Sequence, residues 1–158
     1  MRKTVILIIL SVFIASLGGY FAYAKFAGAK KPTKPSEYHI GISMDSALQT
    51  PDRPILAMFY ADWCTYCLRF MPTMKKLSEE YADKYNFVMI DAESADNLDL
   101  VKQYRISGFP SLFIIDAEID NQVSLPISSY QSIEYMREDM DRYLRVKKLM
   151  TCEKPKEE

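Results

Sequence analysis

The sequence predicts an α/β fold in which a mixed β-sheet is covered by helices on both faces. Short apolar runs, typical of buried strands, alternate with segments whose apolar residues recur at helical spacing. The third such run leads through a turn signal at Asp120-Asn121 into a further strand, which predicts a hairpin. A long amphipathic segment then closes the domain, so helices are available for both faces of the sheet.

The first half of the domain is predicted to hold two helices and two strands. Ser43 is a suitable N-cap for a short helix. Apolar residues from Leu68 to Tyr85 recur at helical spacing, and Pro72 within that segment is expected to kink the helix because it lacks an N–H. The predicted elements are a helix over 43–49, a strand over 55–60, a helix over 64–83 and a strand over 86–91.

The second half is predicted to hold two strands between two helices. The last helix carries one stripe composed of Ile133, Met136, Met140, Tyr143, Leu144 and Lys147. The predicted elements are a helix over 97–104, a strand over 111–116, a strand over 122–127 and a helix over 131–149.

The most informative stretch is Trp63-Cys64-Thr65-Tyr66-Cys67, which follows one predicted strand and opens the longest early helix. Cys64 is expected at the strand-to-helix junction, where unpaired backbone N–H groups favour a thiolate. Cys67 lies one turn further on, within reach of a disulfide and less exposed. This arrangement favours thiol–disulfide exchange, in which the dithiol itself carries two electrons and no cofactor or metal is expected.

Other uses of the cysteine pair fit the sequence less well. A structural zinc site needs four ligands, and the chain adds only Cys152 and His39. A purely structural disulfide across so tight a loop adds little stability. Two thiolates suit Cu(I), so a copper-binding or delivery module is one alternative. A redox-inactive binding module is another.

A second motif supports the redox interpretation. Ile106-Ser107-Gly108-Phe109-Pro110-Ser111-Leu112 places a turn and a proline directly before an apolar strand. Together with Tyr60-Ala61-Asp62-Trp63-Cys64-x-x-Cys67, this order and spacing resembles the thioredoxin superfamily over about residues 38–150. The segment around the first cysteine is similar to that in the C-terminal domain of the bacterial reductant transporter DsbD.

The resemblance implies a thioredoxin-like three-layer sandwich and protein thiol–disulfide oxidoreductase activity. It implies that Cys64 is the attacking thiolate, that Cys67 resolves the mixed disulfide, and that Pro110 is cis and lies beside the disulfide. The residues expected to frame the sulfur and dock substrate backbone are Trp63, Thr65, Tyr66, Phe109 and Pro110.

The chain departs from the family pattern around this motif. Met58 stands where thioredoxins usually carry a buried Asp, and Met89 appears in place of the accompanying Lys. Ser128-Ser129 replaces the usual Gly before the last helix. We expect Met58 to favour the thiolate of Cys64, which is expected to be partly exposed, because a nearby carboxylate would repel it.

The N-terminus predicts export. Arg2 and Lys3 precede an uncharged run over 4–24, which suits either a signal peptide ending at Ala22-Tyr23-Ala24 or an uncleaved transmembrane anchor. A linker is expected over 25–36, where Pro32 and Pro35 resist helix. The expected location is the periplasmic side of a bacterial cell envelope, membrane-anchored or soluble after cleavage.

The remaining chain is acidic. Residues 1–36 hold six Lys and Arg and no acids, which leaves a net charge of −7 over 37–158. An acidic domain over 37–150 with a charged tail over 151–158 argues against nucleic-acid binding. The sequence therefore predicts an extracytoplasmic oxidoreductase whose partners are protein thiols and disulfides, with a membrane electron donor or acceptor as a further partner.

Overall fold

The structure is a computed structural model that describes residues 13–14 and 31–152. Most of the predicted signal or anchor segment, and residues 153–158 of the predicted tail, lie outside the described residues. Within the described part, no helix combines the length and apolar character needed to cross a bilayer. Residues 33–152 belong to one compact unit.

Three of the four strands begin and end where the sequence predicts. They are β1 (Ile55–Tyr60), β2 (Asn86–Asp91) and β3 (Ser111–Asp116), whereas β4 (Asn121–Ser124) is shorter than the expected strand over 122–127. The prediction for β4 is wrong at its end because Pro126 has no N–H to continue the ladder. A 3-10 helix follows instead, over Ile127–Gln131.

Within residues 31–152, the α-helices agree with the predictions in number and order but differ at their ends. Ser43 caps the first helix as expected, since its hydroxyl accepts a hydrogen bond from Ser46 N–H at 3.2 Å. The last helix continues to Cys152, so the predicted tail begins within it. The α-helices are α1 (Met44–Leu48), α2 (Thr65–Glu80), α3 (Leu98–Gln103) and α4 (Ile133–Cys152).

The end of the predicted linker is folded. Pro35–Tyr38 form a 3-10 helix, although the prolines were expected to resist helix. The expectation is wrong at Pro35 because this proline occupies the first helical position, where its missing N–H costs nothing. Pro35 is buried, so this turn is packed against the domain.

The sheet order is β2-β1-β3-β4, and the predicted mixed sheet is confirmed. β1 and β2 are parallel, whereas β3 is antiparallel to β1. The C-terminal end of β1 therefore lies beside the N-terminal end of β3, with Phe59 paired to Ser111. This register brings the residues that follow β1 and those that precede β3 to the same edge of the sheet.

Two apolar clusters show that helices cover both faces of the sheet. On one face, Met58 and Leu112 pack with Met71 of α2 and Met140 of α4. The other cluster joins alternate strand residues to Ala47 of α1 and to partly buried residues of α3. The stripe predicted on the last helix is confirmed, since all six of its side chains are buried or partly buried.

Lys147, the polar member of that stripe, forms a buried ion pair at the far end of the sheet. Its Nζ lies 3.1 Å from Asp116 Oδ2 and 2.8 Å from Glu118 Oε2, and Tyr143 donates to Asp116 at 3.1 Å. Burial alone would lower the pKa of Lys147, but its hydrogen bonds to Glu118 and Asp116 raise it above the ordinary value. The charge on the fully buried Asp116 is therefore balanced.

We expect Lys147→Met to lower the free energy of unfolding by about 3–5 kcal/mol, because it leaves the buried Asp116 carboxylate without its cation. Denaturant unfolding of the full chain, followed by near-UV circular dichroism, measures this loss. Lys148→Met, at the exposed neighbouring lysine, is the matched control. Adding Asp116→Asn to Lys147→Met should recover part of the loss. Equal stabilities for Lys147→Met and the control would contradict this account.

Candidate active site

Cys64 is the N-cap of α2, at the position that the sequence predicts. Its backbone is extended, with φ −73° and ψ 103°, and its N–H donates to Ala61 O at 3.0 Å. Its sulfur accepts a hydrogen bond from Cys67 N–H at 3.1 Å. The sulfur therefore stands where the unpaired N–H groups of a 16-residue helix point.

Cys64 and Cys67 form a disulfide, with their Cα atoms 5.2 Å apart. Cys67 is fully buried and Cys64 is 4% exposed, so the predicted order of exposure is confirmed. Cys64 is nevertheless more buried than expected, because the segments that follow β1 and precede β3 enclose it. Cys64 still lines an open groove, together with Trp63, Thr65, Tyr66, Ser107, Gly108 and Phe109.

Trp63 lies at the surface beside the disulfide and is 68% exposed. Its Nε1–H donates to Glu93 Oε1 at 2.8 Å, and its ring meets Phe109 edge-on with centroids 5.9 Å apart. These contacts hold the indole against the loop before β3. Glu93 was not identified from the sequence, since it lies 30 residues further along the chain.

The Phe109–Pro110 peptide bond is cis, as the resemblance implies. Ser111 Oγ donates to Gly108 O at 2.7 Å, which closes the turn that carries this bond. The structure thus brings all the predicted site residues to one edge of the sheet. Tyr66, Phe109 and Pro110 also line a second groove, which runs beside α2.

Met58 and Met89, which depart from the family pattern, lie beneath this edge. Met58 is fully buried in the same apolar cluster as Cys64 and Cys67, and Met89 packs against that cluster. The two residues are paired in register across β1 and β2. At position 58, where thioredoxins usually carry a buried acid, this chain therefore has an apolar side chain.

Asp62 connects the site to the N-terminal 3-10 helix. Its carboxylate accepts hydrogen bonds from Ser36 N–H at 3.1 Å and from Ser36 Oγ–H at 2.9 Å. The segment that precedes the domain is thereby fastened two residues before Cys64. No local sequence signal indicates this contact, which joins residues 26 positions apart.

Tyr130 is a further residue that sequence analysis missed. Its hydroxyl accepts from Leu112 N–H at 2.9 Å and donates to Leu125 O at 3.0 Å, so it stands between β3 and the segment after β4. Burial raises the pKa of Tyr130, which keeps the donor proton in place at neutral pH. Because Leu112 follows Pro110 by two residues, Tyr130 supports the turn beside the disulfide.

The cysteine pair belongs to no larger group of His, Cys, Asp or Glu side chains in the described part of the chain. Within residues 13–14 and 31–152, no group of three or more His, Cys, Asp or Glu side chains could hold a metal ion. A copper-binding module would therefore have two thiolates available from these residues. Cys152 is exposed and free at the end of α4.

A family model for thioredoxin matches residues 38–134. The chain is 38% identical over 64 residues to the thiol:disulfide interchange protein TxlA homolog of Synechocystis sp., which covers 40% of this chain and 36% of that protein. It is 32% identical over 66 residues to the chloroplastic thioredoxin-like protein HCF164 of Arabidopsis thaliana, covering 42% and 25%. The match thus spans about a third or less of the length of these relatives.

Among solved structures, the germline-specific thioredoxin Deadhead of Drosophila melanogaster superposes with a TM-score of 0.53 and 19% identity, over 65% of this chain and 96% of that one. This likeness confirms the expected thioredoxin-like α/β fold. The family match covers more than half of the chain and includes the cysteine pair and the cis-proline turn. The chain therefore belongs to the thioredoxin family.

Proposed function

We propose that this chain is a protein thiol–disulfide oxidoreductase in which Cys64 attacks and Cys67 resolves. The observation that carries the proposal is the position of Cys64, which caps α2 beneath an open groove and accepts the Cys67 N–H. The thioredoxin domain, its CxxC pair and relatives named for thiol:disulfide interchange support this class of enzyme.

The exchange proceeds in two steps when the chain acts as a reductant. The Cys64 thiolate attacks one sulfur of a partner's disulfide, so a mixed disulfide forms and the partner's other sulfur leaves as a thiolate. The Cys67 thiolate then attacks Cys64 Sγ, which releases the second partner thiol and closes the Cys64–Cys67 disulfide. Two electrons pass to the partner, and the same steps in reverse oxidise a partner dithiol.

The two cysteines differ in what stabilises their thiolates. Cys64 receives the Cys67 N–H and the partial positive charge at the start of α2, both of which favour the charged form. Cys67 is fully buried within an apolar cluster, which disfavours its charged form. Cys64 is therefore the better nucleophile, and its groove admits a partner's sulfur.

The groove around Cys64 suits an extended protein segment. Trp63 and Phe109 form its apolar walls, while Thr65 and Tyr66 lie at the exposed start of α2. Ser107, Gly108 and Phe109, in the turn before Pro110, line the same groove and offer their backbone to it. These residues are proposed to dock the partner's backbone rather than to take part in bond exchange.

We further propose that the chain acts outside the cytoplasm. The support is the basic start at Arg2 and Lys3, followed by the uncharged run over 4–24, which is typical of export or anchoring. Such a location would suit exchange with a membrane electron donor or acceptor. Fractionation of cells that express the full chain, with thiol labelling from outside the membrane, tests this proposal.

The roles of the two cysteines predict different phenotypes. Cys64→Ser should abolish reduction of insulin disulfides by the full chain, whereas Cys67→Ser should accumulate mixed disulfides because attack survives without resolution. Cys152→Ser is the matched control and should retain activity, since Cys152 is exposed and lies at the end of α4. Faster alkylation of Cys67 than of Cys64 in the reduced protein would reverse the assignment.

Met58→Asp should raise the pKa of Cys64 in the reduced protein and make the reduction potential more negative. A buried carboxylate repels the thiolate, so the reduced form becomes less stable relative to the disulfide. Thiolate absorbance against pH measures the effect, and Met58→Asn controls for polarity without charge. If Asp and Asn give the same Cys64 pKa, the residue at 58 does not tune the site through charge.

Tyr130→Phe should slow exchange with protein disulfides several-fold but leave exchange with a small neutral disulfide unchanged. The variant leaves Leu112 N–H and Leu125 O without their partner, which should cost about 1–3 kcal/mol of stability and loosen the turn that docks a protein substrate. Tyr135→Phe, at an exposed tyrosine, is the control. Equal slowing with both substrates would assign Tyr130 a general structural role instead.

A further inference from the structure

A groove with a volume of about 560 Å³ runs along α2 and shares Tyr66 and Phe109 with the groove around Cys64. One wall is the helix face that carries Tyr66, Arg69 and Thr73, whose spacing places them on the same side of the helix. The other wall includes Ile127 and Tyr130. The groove therefore continues past the reacting cysteine, beside the residues that follow it in the chain.

Both walls of this groove carry large apolar side chains that are open to solvent. Tyr66 is 71% exposed and Ile127 is 78% exposed, on opposite walls. Large apolar side chains placed together at the surface are typical of sites that bind another protein. Phe70 and Tyr130 form a tilted ring pair between these walls, with centroids 5.7 Å apart.

Among the described residues that line the groove, Arg69 is the single charged one. Its guanidinium lies 5.8 Å from the centre of the Tyr66 ring, which keeps the cation at the rim. No carboxylate in the described part of the chain forms an ion pair with Arg69. The arginine thus presents an unneutralised positive charge in a domain that is acidic overall.

Two carboxylates accompany Trp63, the residue that precedes Cys64. Asp62 immediately precedes Trp63, and Glu93 binds the Trp63 indole. A partner segment that crosses Cys64 therefore meets carboxylates on the Trp63 side and a cation on the α2 side. This division gives the site an electrical polarity that a partner's charges can match in one orientation.

We propose that Arg69 selects partner segments that carry an Asp or Glu on the groove side of their reacting cysteine. The inference rests on the proposed function, since it concerns the protein that exchanges disulfides with Cys64. Arg69 follows Cys64 by five residues, which is about 7.5 Å along the axis of α2. An extended partner covers that distance in roughly two or three residues, so its carboxylate lies at that spacing from its cysteine.

The contribution of Arg69 is to specificity, because Arg69 takes no part in making or breaking the S–S bonds. An ion pair at an exposed rim is worth little, so the expected preference for an acidic partner is roughly two- to five-fold. The preference should weaken as salt is added, since the Debye length is about 10 Å at 0.1 M. A basic residue in the same position should be disfavoured.

The test uses the reduced full chain and short peptides with one cysteine, activated with a neutral 2-thiopyridyl group. Cys64 attacks the peptide sulfur and pyridine-2-thione leaves, after which Cys67 releases the peptide thiol. Absorbance of the released thione gives the rate, and every variant carries Cys152→Ser because the exposed Cys152 thiol would also release thione. Each peptide carries Glu, Gln or Lys at the spacing above, either before or after the cysteine, so both chain directions are covered.

In the wild type, the Glu peptide of one direction should react roughly two- to five-fold faster than its Gln counterpart. Arg69→Gln should bring that ratio to about one, and Arg69→Glu should make the Lys peptide the faster one. Because each ratio is taken within one variant, a general loss of activity cancels. Lys75→Gln, at an exposed lysine on the same helix that pairs with Glu79, should keep the wild-type ratio.

Two failures are distinguishable. If Gln peptides react but no Glu peptide is preferred, or if Arg69→Gln keeps the preference, the role of Arg69 is overturned while the exchange function stands. If no peptide of any charge reacts through Cys64, the proposed function falls and the inference falls with it.

Discussion

The start of α2 at Cys64 is the constraint on which the active face depends. β1 ends at Tyr60, and the Cys64 N–H bonds back to Ala61 O, so the chain turns into the helix within four residues. The buried face of α2 then fixes where the helix lies against the sheet, through Cys67, Phe70, Met71, Met74 and Leu77. Because the N-cap must be the residue before the first helical one, packing of this face determines where the reacting sulfur stands. The same sulfur satisfies one of the N–H groups that the helix start would otherwise leave unpaired.

The strand register completes the site from the other side. Antiparallel pairing of β1 with β3 sets the end of β1 beside the start of β3. The cis-proline turn therefore lies beside the cysteine loop, although no local sequence pattern links the two segments. Tyr130 and Trp63 then add side-chain contacts that hold each segment in place. Helix capping and sheet register thus position the Cys64–Cys67 pair, which carries two electrons. Beneath it, methionines occupy the two positions where the family usually has a buried acid and its lysine partner.

Most of the strands could be predicted from local sequence patterns, because β1, β2 and β3 are short apolar runs bounded by turn residues. The end of β4 was missed although Pro126, which has no N–H for the ladder, stands in the sequence. The Tyr130 hydroxyl, which binds Leu112 N–H and Leu125 O at this point, comes from a later segment and gives no local signal. The cysteine pair and the Phe109-Pro110 turn were identified because each is a contiguous motif. Sequence analysis missed Glu93 and Ser36, because each reaches the site through a contact between residues far apart in the chain. It also missed Arg69, whose position is significant only because a groove runs beside it. The burial of Cys64 was underestimated for the same reason.

The most direct test of the central claim is the redox titration of the full chain in glutathione buffers of graded ratio. After equilibration, thiols are trapped by an alkylating reagent and each cysteine is quantified by mass spectrometry of its peptide. The account predicts that Cys64 and Cys67 gain and lose electrons together, as one two-electron couple with a single midpoint, while Cys152 follows a separate course. Independent titration of Cys64 and Cys67, or a pair that stays oxidised across all accessible ratios, would contradict it.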